Sequence, residues 1–158
     1  MSLSARNPQP APGLQRLIFF SETAAASPAE LDRQLQDIVQ ASIRNNHDAA
    51  VTGFLIAHEG WFLQALEGPK AAVAATYERI AADSRHRSLK MVVSRPSEQR
   101  CFAGWTLSAR RLAPADEAML KLFGQAQRFQ PAQLSAKNAL ALLMTASQKP
   151  ARSVLWLE

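Results

Sequence analysis

The chain has 158 residues, 47% of them hydrophobic and 20% charged, which suits one globular domain with appendages and a sizeable core. No apolar run reaches bilayer length, and the single cysteine, Cys101, excludes an intrachain disulfide framework; with His47, His58 and His86 lacking ligand spacing, no metal site is expected. The net charge of +5 raises nucleic acid as a partner, but the cations are scattered, and the densest groups, Arg85-His86-Arg87 and Arg110-Arg111, read as solvated surface arginines.

Residues 1–14 hold Pro8, Pro10 and Pro12 without apolar periodicity, so they read as a disordered lead. That start lacks the charged-then-apolar order of a secretory signal, and the cytoplasm is the default location. Leu17 to Phe20 form a first strand on which Leu17, Phe19 and Ser21 share one face. Ser27-Pro28-Ala29-Glu30 is a capped helix start, with Pro28 at the first helical position. The helix is expected to run to about Arg44. Its stripe of Leu31, Leu35, Ile38, Ser42 and Asn46 keeps helical spacing while turning polar. Ser42 and Asn46 would therefore meet a bound molecule at the sheet edge, or Asn46 would be a left-handed helix cap.

Val51 to Ala57 and Trp61 to Leu66 read as two strands joined by the short polar connection His58-Glu59-Gly60. Gln64 shares a face with Phe62 and Leu66, so an amide stands where apolar groups are expected. Left unpaired, it would cost about 1–3 kcal/mol. Either neighbouring backbone satisfies it or it faces a ligand. Pro69 opens a second helix with Val73, Thr76, Tyr77 and Ile80 as its buried stripe, and Arg85 and His86 follow as helix-terminating cations. Leu89 to Val93 forms a fourth strand and Phe102 to Ala109 a fifth, with Trp105 and Leu107 on one face.

The resulting order is α+β, a ferredoxin-like βαββαββ arrangement: a five-stranded mixed sheet with two helices on one face. Pro114 to Phe123 and Pro131 to Ser147 supply two C-terminal helices to cover the other. The divisions are 1–14 as lead, 15–112 as the sheet domain and 113–158 as a helical extension.

Five separated segments together resemble one family. Ser42-Ile43-Arg44-Asn45-Asn46 with Val51 to Leu55, Phe62-Leu63-Gln64-Ala65-Leu66-Glu67-Gly68-Pro69, Asp83-Ser84-Arg85-His86, and Arg100-Cys101-Phe102-Ala103-Gly104-Trp105 are similar to the BLUF domain, the sensors of blue light using FAD. The resemblance spans roughly Leu17 to Leu112. It implies a flavin between the two helices, FAD first, with FMN or riboflavin as variants. By position, Asn46 would bond the ring's carbonyl edge, with Ser42 beside it, and Gln64 would be the amide that rearranges after light. Arg85 with His86 would meet the ribityl and phosphate end, Ile38 and Ile80 would sandwich the ring, and Trp105 would be the mobile tryptophan.

Two places depart from the family pattern. Phe19 stands where the family carries a tyrosine, and it has no hydroxyl to bond the glutamine and no phenolic proton to give. Tyr77, the lone tyrosine, reads as packing. Leu107 stands where methionine is frequent, and it fills similar volume.

The expected function is a flavin-binding blue-light sensor or regulator whose normal photocycle is impaired. It would not be an enzyme, since no catalytic triad order, phosphate loop or paired carboxylates are present. The resemblance further implies signalling through a downstream protein partner and homo-oligomers, with the C-terminal helices as the contact. Two readings compete: a cofactor-free interaction domain, and an RNA-binding ferredoxin-like module. The second lacks a basic-Gly-aromatic strand signature, and the C-terminal helices are expected to cover the face RNA would need.

Overall fold

Glu59 and Gly60 both adopt positive φ, 50° and 85°, the geometry of a two-residue type I′ turn, which matches the twist of the strands it joins. In this computed structural model, which describes residues 13–103 and 107–148 and the backbone of 154–155, that turn closes the central hairpin of β2 (Thr52–His58) and β3 (Trp61–Pro69). The first strand, β1 (Leu14–Thr23), pairs antiparallel on the other side of β3 and is longer than the apolar core that announced it. The proposed lead lies outside the described residues, apart from 13 and 14.

Helix α1 (Pro28–Ala49) starts at Ser27, whose side chain accepts from the Glu30 amide at 3.2 Å. Glu30 reaches back to the Ala26 amide at 2.9 Å, one residue before the expected target. The helix continues past Arg44 to Ala49, because its end is set by Ala50 at φ 58° and by the Val51 amide returning to the Asn46 carbonyl at 3.0 Å. Asn46 is thus a buried residue within the helix, and the left-handed cap falls on Ala50 instead. Gly68 makes that exit possible, since a Cβ there would lie 2.8 Å from the Ala50 carbonyl oxygen.

Pro69 closes β3 and caps α2 (Lys70–Ala81) rather than occupying its first turn. Strand β4 (His86–Pro96) pairs antiparallel with β1, and Pro96 ends it. Two register shifts interrupt that ladder, one beside Phe19 and one between Phe20 and Glu22. Ser88, at φ 54°, lies on the β4 side of the second shift, where an extra residue kinks the strand.

The last long-range strand departs from expectation. β5 is Ser108–Arg111, parallel to β2, and Phe102 lies outside it. The reason is local: the Cys101 and Phe102 amides are taken by the Glu67 carboxylate and cannot join a ladder. With the two-residue β6 (Val154–Leu155), the sheet order is β4-β1-β3-β2-β5-β6, so the ferredoxin-like core is extended at one edge. Beyond the five strands expected, β6 adds a short antiparallel pairing.

Ile18, Phe20, Phe54, Ile56, Leu63 and Ala65 face the back of the sheet and pack against α3 (Glu117–Leu122) and α4 (Ala136–Ser147). Leu142 and Leu143 are fully buried there, each worth about 1.5–3 kcal/mol. The prolines that were to open these helices sit in separate 3-10 turns, Pro114–Asp116 and Pro131–Gln133. α4 itself starts at Ser135, which accepts from the Asn138 amide at 3.0 Å. Arg110 is likewise no surface arginine. It faces this covered side at 5% exposure, ion-paired to Asp116 at 2.7 Å and donating to the Ala146 carbonyl, while Arg111 stays exposed and pairs with Asp32.

Leu17, Phe19, Leu55, Phe62 and Leu66 face the front, under α1 and α2. An RNA-binding mode on the back face is therefore closed, since α3 and α4 occupy it.

Candidate functional site

On the front face the two helices leave a cleft of about 330 Å³ between them. Ile38, Ser42 and Asn46 form its α1 wall, as their i, i+4, i+8 spacing predicts. Thr76 and Arg79 form the α2 wall, and Asp83 and Arg85 close the end beyond the helix. Ile80 does not line it. That side chain packs with Val73 and Phe19 instead, because it falls one position round the helix from Arg79.

Thr76 is satisfied within its own helix, donating to the Ala72 carbonyl at 2.8 Å and accepting from Arg79 at 3.3 Å. Arg85 is gripped by Asp83 through Nε and Nη2, and the Asp83 carboxylate also accepts the Arg85 backbone amide at 2.9 Å. The guanidinium hydrogen bond holds the Asp83 carboxyl below its ordinary range, and the same contact raises Arg85. Arg79 and Arg85 put two guanidinium groups at this end of the cleft, with Asp83 bonded to Arg85 and Asp37 also within electrostatic reach of it. Arg79 escaped the sequence reading, and Asp83 entered it only within the Asp83-Ser84-Arg85-His86 segment, without a role of its own. Their only signals were Arg79 at i+3 from Thr76 and Asp83 two residues before Arg85.

His86 is not a helix-terminating cation on the surface. It opens β4 at 6% exposure, with Nδ1 2.9 Å from the Ser21 hydroxyl and its ring 4.9 Å from Phe62. Burial, the largest influence, lowers its pKa to about 4, with Asp83 opposing and Arg85 adding to the effect. At neutral pH it is therefore an uncharged imidazole behind the cleft. Phe19 is fully buried between His86 at 6.1 Å and Tyr77 at 5.4 Å, both edge-on. Tyr77 packs as expected, and burial raises its pKa.

Gln64 lies on the same sheet face, opposite Phe19 on β1 and Leu55 on β2. It is 1% exposed, and its Oε1 has no hydrogen-bond partner among the described residues. Neighbouring backbone among the described residues does not satisfy that oxygen, and Gln64 lies behind the cleft, not among the residues that line it. Leu107 is buried in the cluster that holds Ile38 and Leu55. Trp105 lies outside the described residues.

These residues fit a flavin. The orphaned oxygen calls for an N–H donor, which a flavin ring edge offers beside its carbonyls, and the Arg79 and Arg85 guanidinium groups in the cleft lining are the donors a phosphate tail would use. Ile38, Ser42, Asn46, Gln64 and Arg85 would hold it, with Phe19 and His86 behind Gln64 and Arg85.

Fold and cleft together define a ferredoxin-like α+β domain with a cleft open between its two front-face helices. The family of "Sensors of blue-light using FAD", BLUF, matches residues 14–108. This chain belongs to the BLUF family, whose members are flavin-binding sensor domains that relay blue-light signals to effectors. The photoactivated adenylate cyclase subunit beta of Euglena gracilis is 37% identical over 111 residues, 70% of this chain and 12% of the relative. The blue light- and temperature-regulated antirepressor BluF of Escherichia coli (strain K12) is 30% identical over 112 residues, 70% of this chain and 27% of the relative. The chain thus spans only a small part of these curated relatives. In fold it is similar to BlsA in its photo-activated state, with a TM-score of 0.78 at 22% identity, covering 89% of this chain and 99% of that one. Among the described residues no helix is long and apolar enough to cross a membrane.

Proposed function

We propose that this chain binds FAD in the cleft between α1 and α2 and works as a regulatory blue-light sensor without catalysis of its own, through contacts with a downstream protein. The observation that carries this reading is the buried Oε1 of Gln64, without a hydrogen-bond partner among the described residues, on the sheet face beneath α1 and α2. Asn46 and Ser42 on one wall and Arg85 at the far end orient the guest, and Ile38 excludes water from one side. Bound there, the flavin would supply blue-light absorption.

Phe19 stands where the family pattern places the tyrosine that gives an electron and a proton toward the glutamine. With no hydroxyl at that place, Gln64 keeps one bonding arrangement before and after illumination, and the usual photocycle is impaired. Homo-oligomers, contacts through the C-terminal helices and work in the cytoplasm belong to the same proposal.

Purified protein incubated with FAD, FMN or riboflavin and then desalted should retain a yellow, structured flavin spectrum, FAD most tightly. The light-minus-dark spectrum should be flat. Colourless protein after all three incubations overturns the reading, and a reversible red shift in the unmodified chain overturns its photochemical part.

A further inference from the structure

Glu67 lies three residues beyond Gln64 on β3, so the two side chains leave the central strand on opposite faces. It is fully buried, with Arg16 on β1 and Thr52 on β2 as its register partners. Arg16 Nε donates to Oε2 at 2.8 Å, the Cys101 amide lies 2.9 Å from both oxygens, and the Phe102 amide donates to Oε1 at 2.8 Å. Two consecutive backbone N–H groups aimed at one anion make a nest. Here the anion is a side chain of the central strand.

Arg100 grips the same place from outside. Its Nη1 donates to Thr52 Oγ1 at 2.9 Å and to the Glu67 carbonyl at 3.0 Å, and its Nη2 donates to the Ala50 carbonyl at 2.7 Å. The Phe102 ring then stacks on Phe54, centroids 6.1 Å apart. Three successive residues of the β4–β5 connection are therefore fixed to β2 and β3. In the sheet order β2 separates β3 from β5, so no ladder joins the Gln64 strand to β5 directly. The carboxylate ties β3 to residues 101 and 102 of the connection that leads into β5.

We propose that Glu67 is a positioning residue that couples β3 to the start of β5: a change in what Gln64 bonds is passed through the Cys101 and Phe102 amides to Leu107 and Ser108–Arg111. Its link to Gln64's ligand rests on the flavin reading, whereas the coupling of β3 to β5 does not.

The test is Glu67→Gln, which keeps the shape but turns a donor toward donors. Residue-resolved amide exchange on the full chain should show Cys101, Phe102 and residues 108–111 exchanging at least about tenfold faster, with α1 and α2 unchanged. Residues 108–111 exchanging at the unmodified rate would overturn the proposal. Should Glu67→Gln fail to fold, Arg100→Gln decides by the same readout, because it loosens the same connection from the exposed side. A second arm uses spectroscopy in a Phe19→Tyr background, where Glu67→Gln should leave the dark flavin spectrum in place and change the lifetime of the red-shifted state at least about threefold. An unchanged lifetime overturns the link to Gln64. Absence of any bound flavin counts against the flavin reading alone, and the exchange result still decides the coupling.

Discussion

Phe19 and Gln64 are direct register partners on adjacent antiparallel strands, both buried, one side chain without a polar atom and the other with an oxygen that lacks a donor among the described residues. Directly paired residues have Cβ atoms about 5 Å apart, so their side chains share one space. A hydroxyl placed on the residue 19 ring is the smallest change that puts a donor within that space. Phe19→Tyr should therefore give flavin-loaded protein a reversible red shift of the visible band under blue light. The measurement is a light-minus-dark difference spectrum; a flat trace from a folded, yellow Phe19→Tyr protein would show that the phenylalanine is not what silences the response.

The orphaned oxygen also sets opposite signs for stability and binding. Without flavin, Gln64 carries a buried polar atom that gains nothing from its surroundings, and Gln64→Leu removes it at similar volume. Flavin-free Gln64→Leu protein should be more stable by about 1–2 kcal/mol in urea unfolding, while its FAD affinity falls about tenfold or more. Loss of stability together with unchanged FAD affinity would mean that the amide serves the fold and not the ligand.

The parts of the fold that follow from short-range periodicity were legible in the sequence. The β2–β3 hairpin declared itself by two apolar runs around the polar connection His58-Glu59-Gly60, and the polar end of the α1 stripe singled out Ser42 and Asn46. What was hidden depends on groups distant in sequence. His86 looked like a terminal cation because nothing local shows that β4 pairs with β1 and delivers its ring to Ser21. Arg110 looked solvated because Asp116 and the Ala146 carbonyl reach it only after α3 and α4 fold onto the sheet. The start of β5 moved for the same kind of reason, since Glu67 takes amides that a strand would have used.

His86 makes stability depend on acid in a defined window. Its pKa is about 4 in the fold against 6.5 for an ordinary histidine, so below pH 6.5 the unfolded chain binds a proton that the folded chain does not. Stability should be unaffected by this group above pH 6.5, fall as the pH drops, and level off below about pH 4, with a loss of about 3 kcal/mol across the window. Urea unfolding at pH 7 and pH 4.5 measures it. His86→Gln should flatten that segment of the profile, and an equal slope in both proteins would place the acid sensitivity elsewhere.

Asp83 sets how freely Arg85 can serve an anionic guest. The carboxylate holds the guanidinium through Nε and Nη2 at the Arg85 end of the cleft, so a phosphate arriving there competes with it. Asp83→Asn removes the competing charge and keeps a side chain of the same size. FAD and FMN should then bind about three- to tenfold tighter, while riboflavin, which carries no phosphate, should bind as before. The ordering follows from charge alone and is read by fluorescence titration with the three flavins. Equal gains for riboflavin and FMN would place the phosphate away from Arg85, and weaker binding of all three would mean that Asp83 holds the arginine in its productive position.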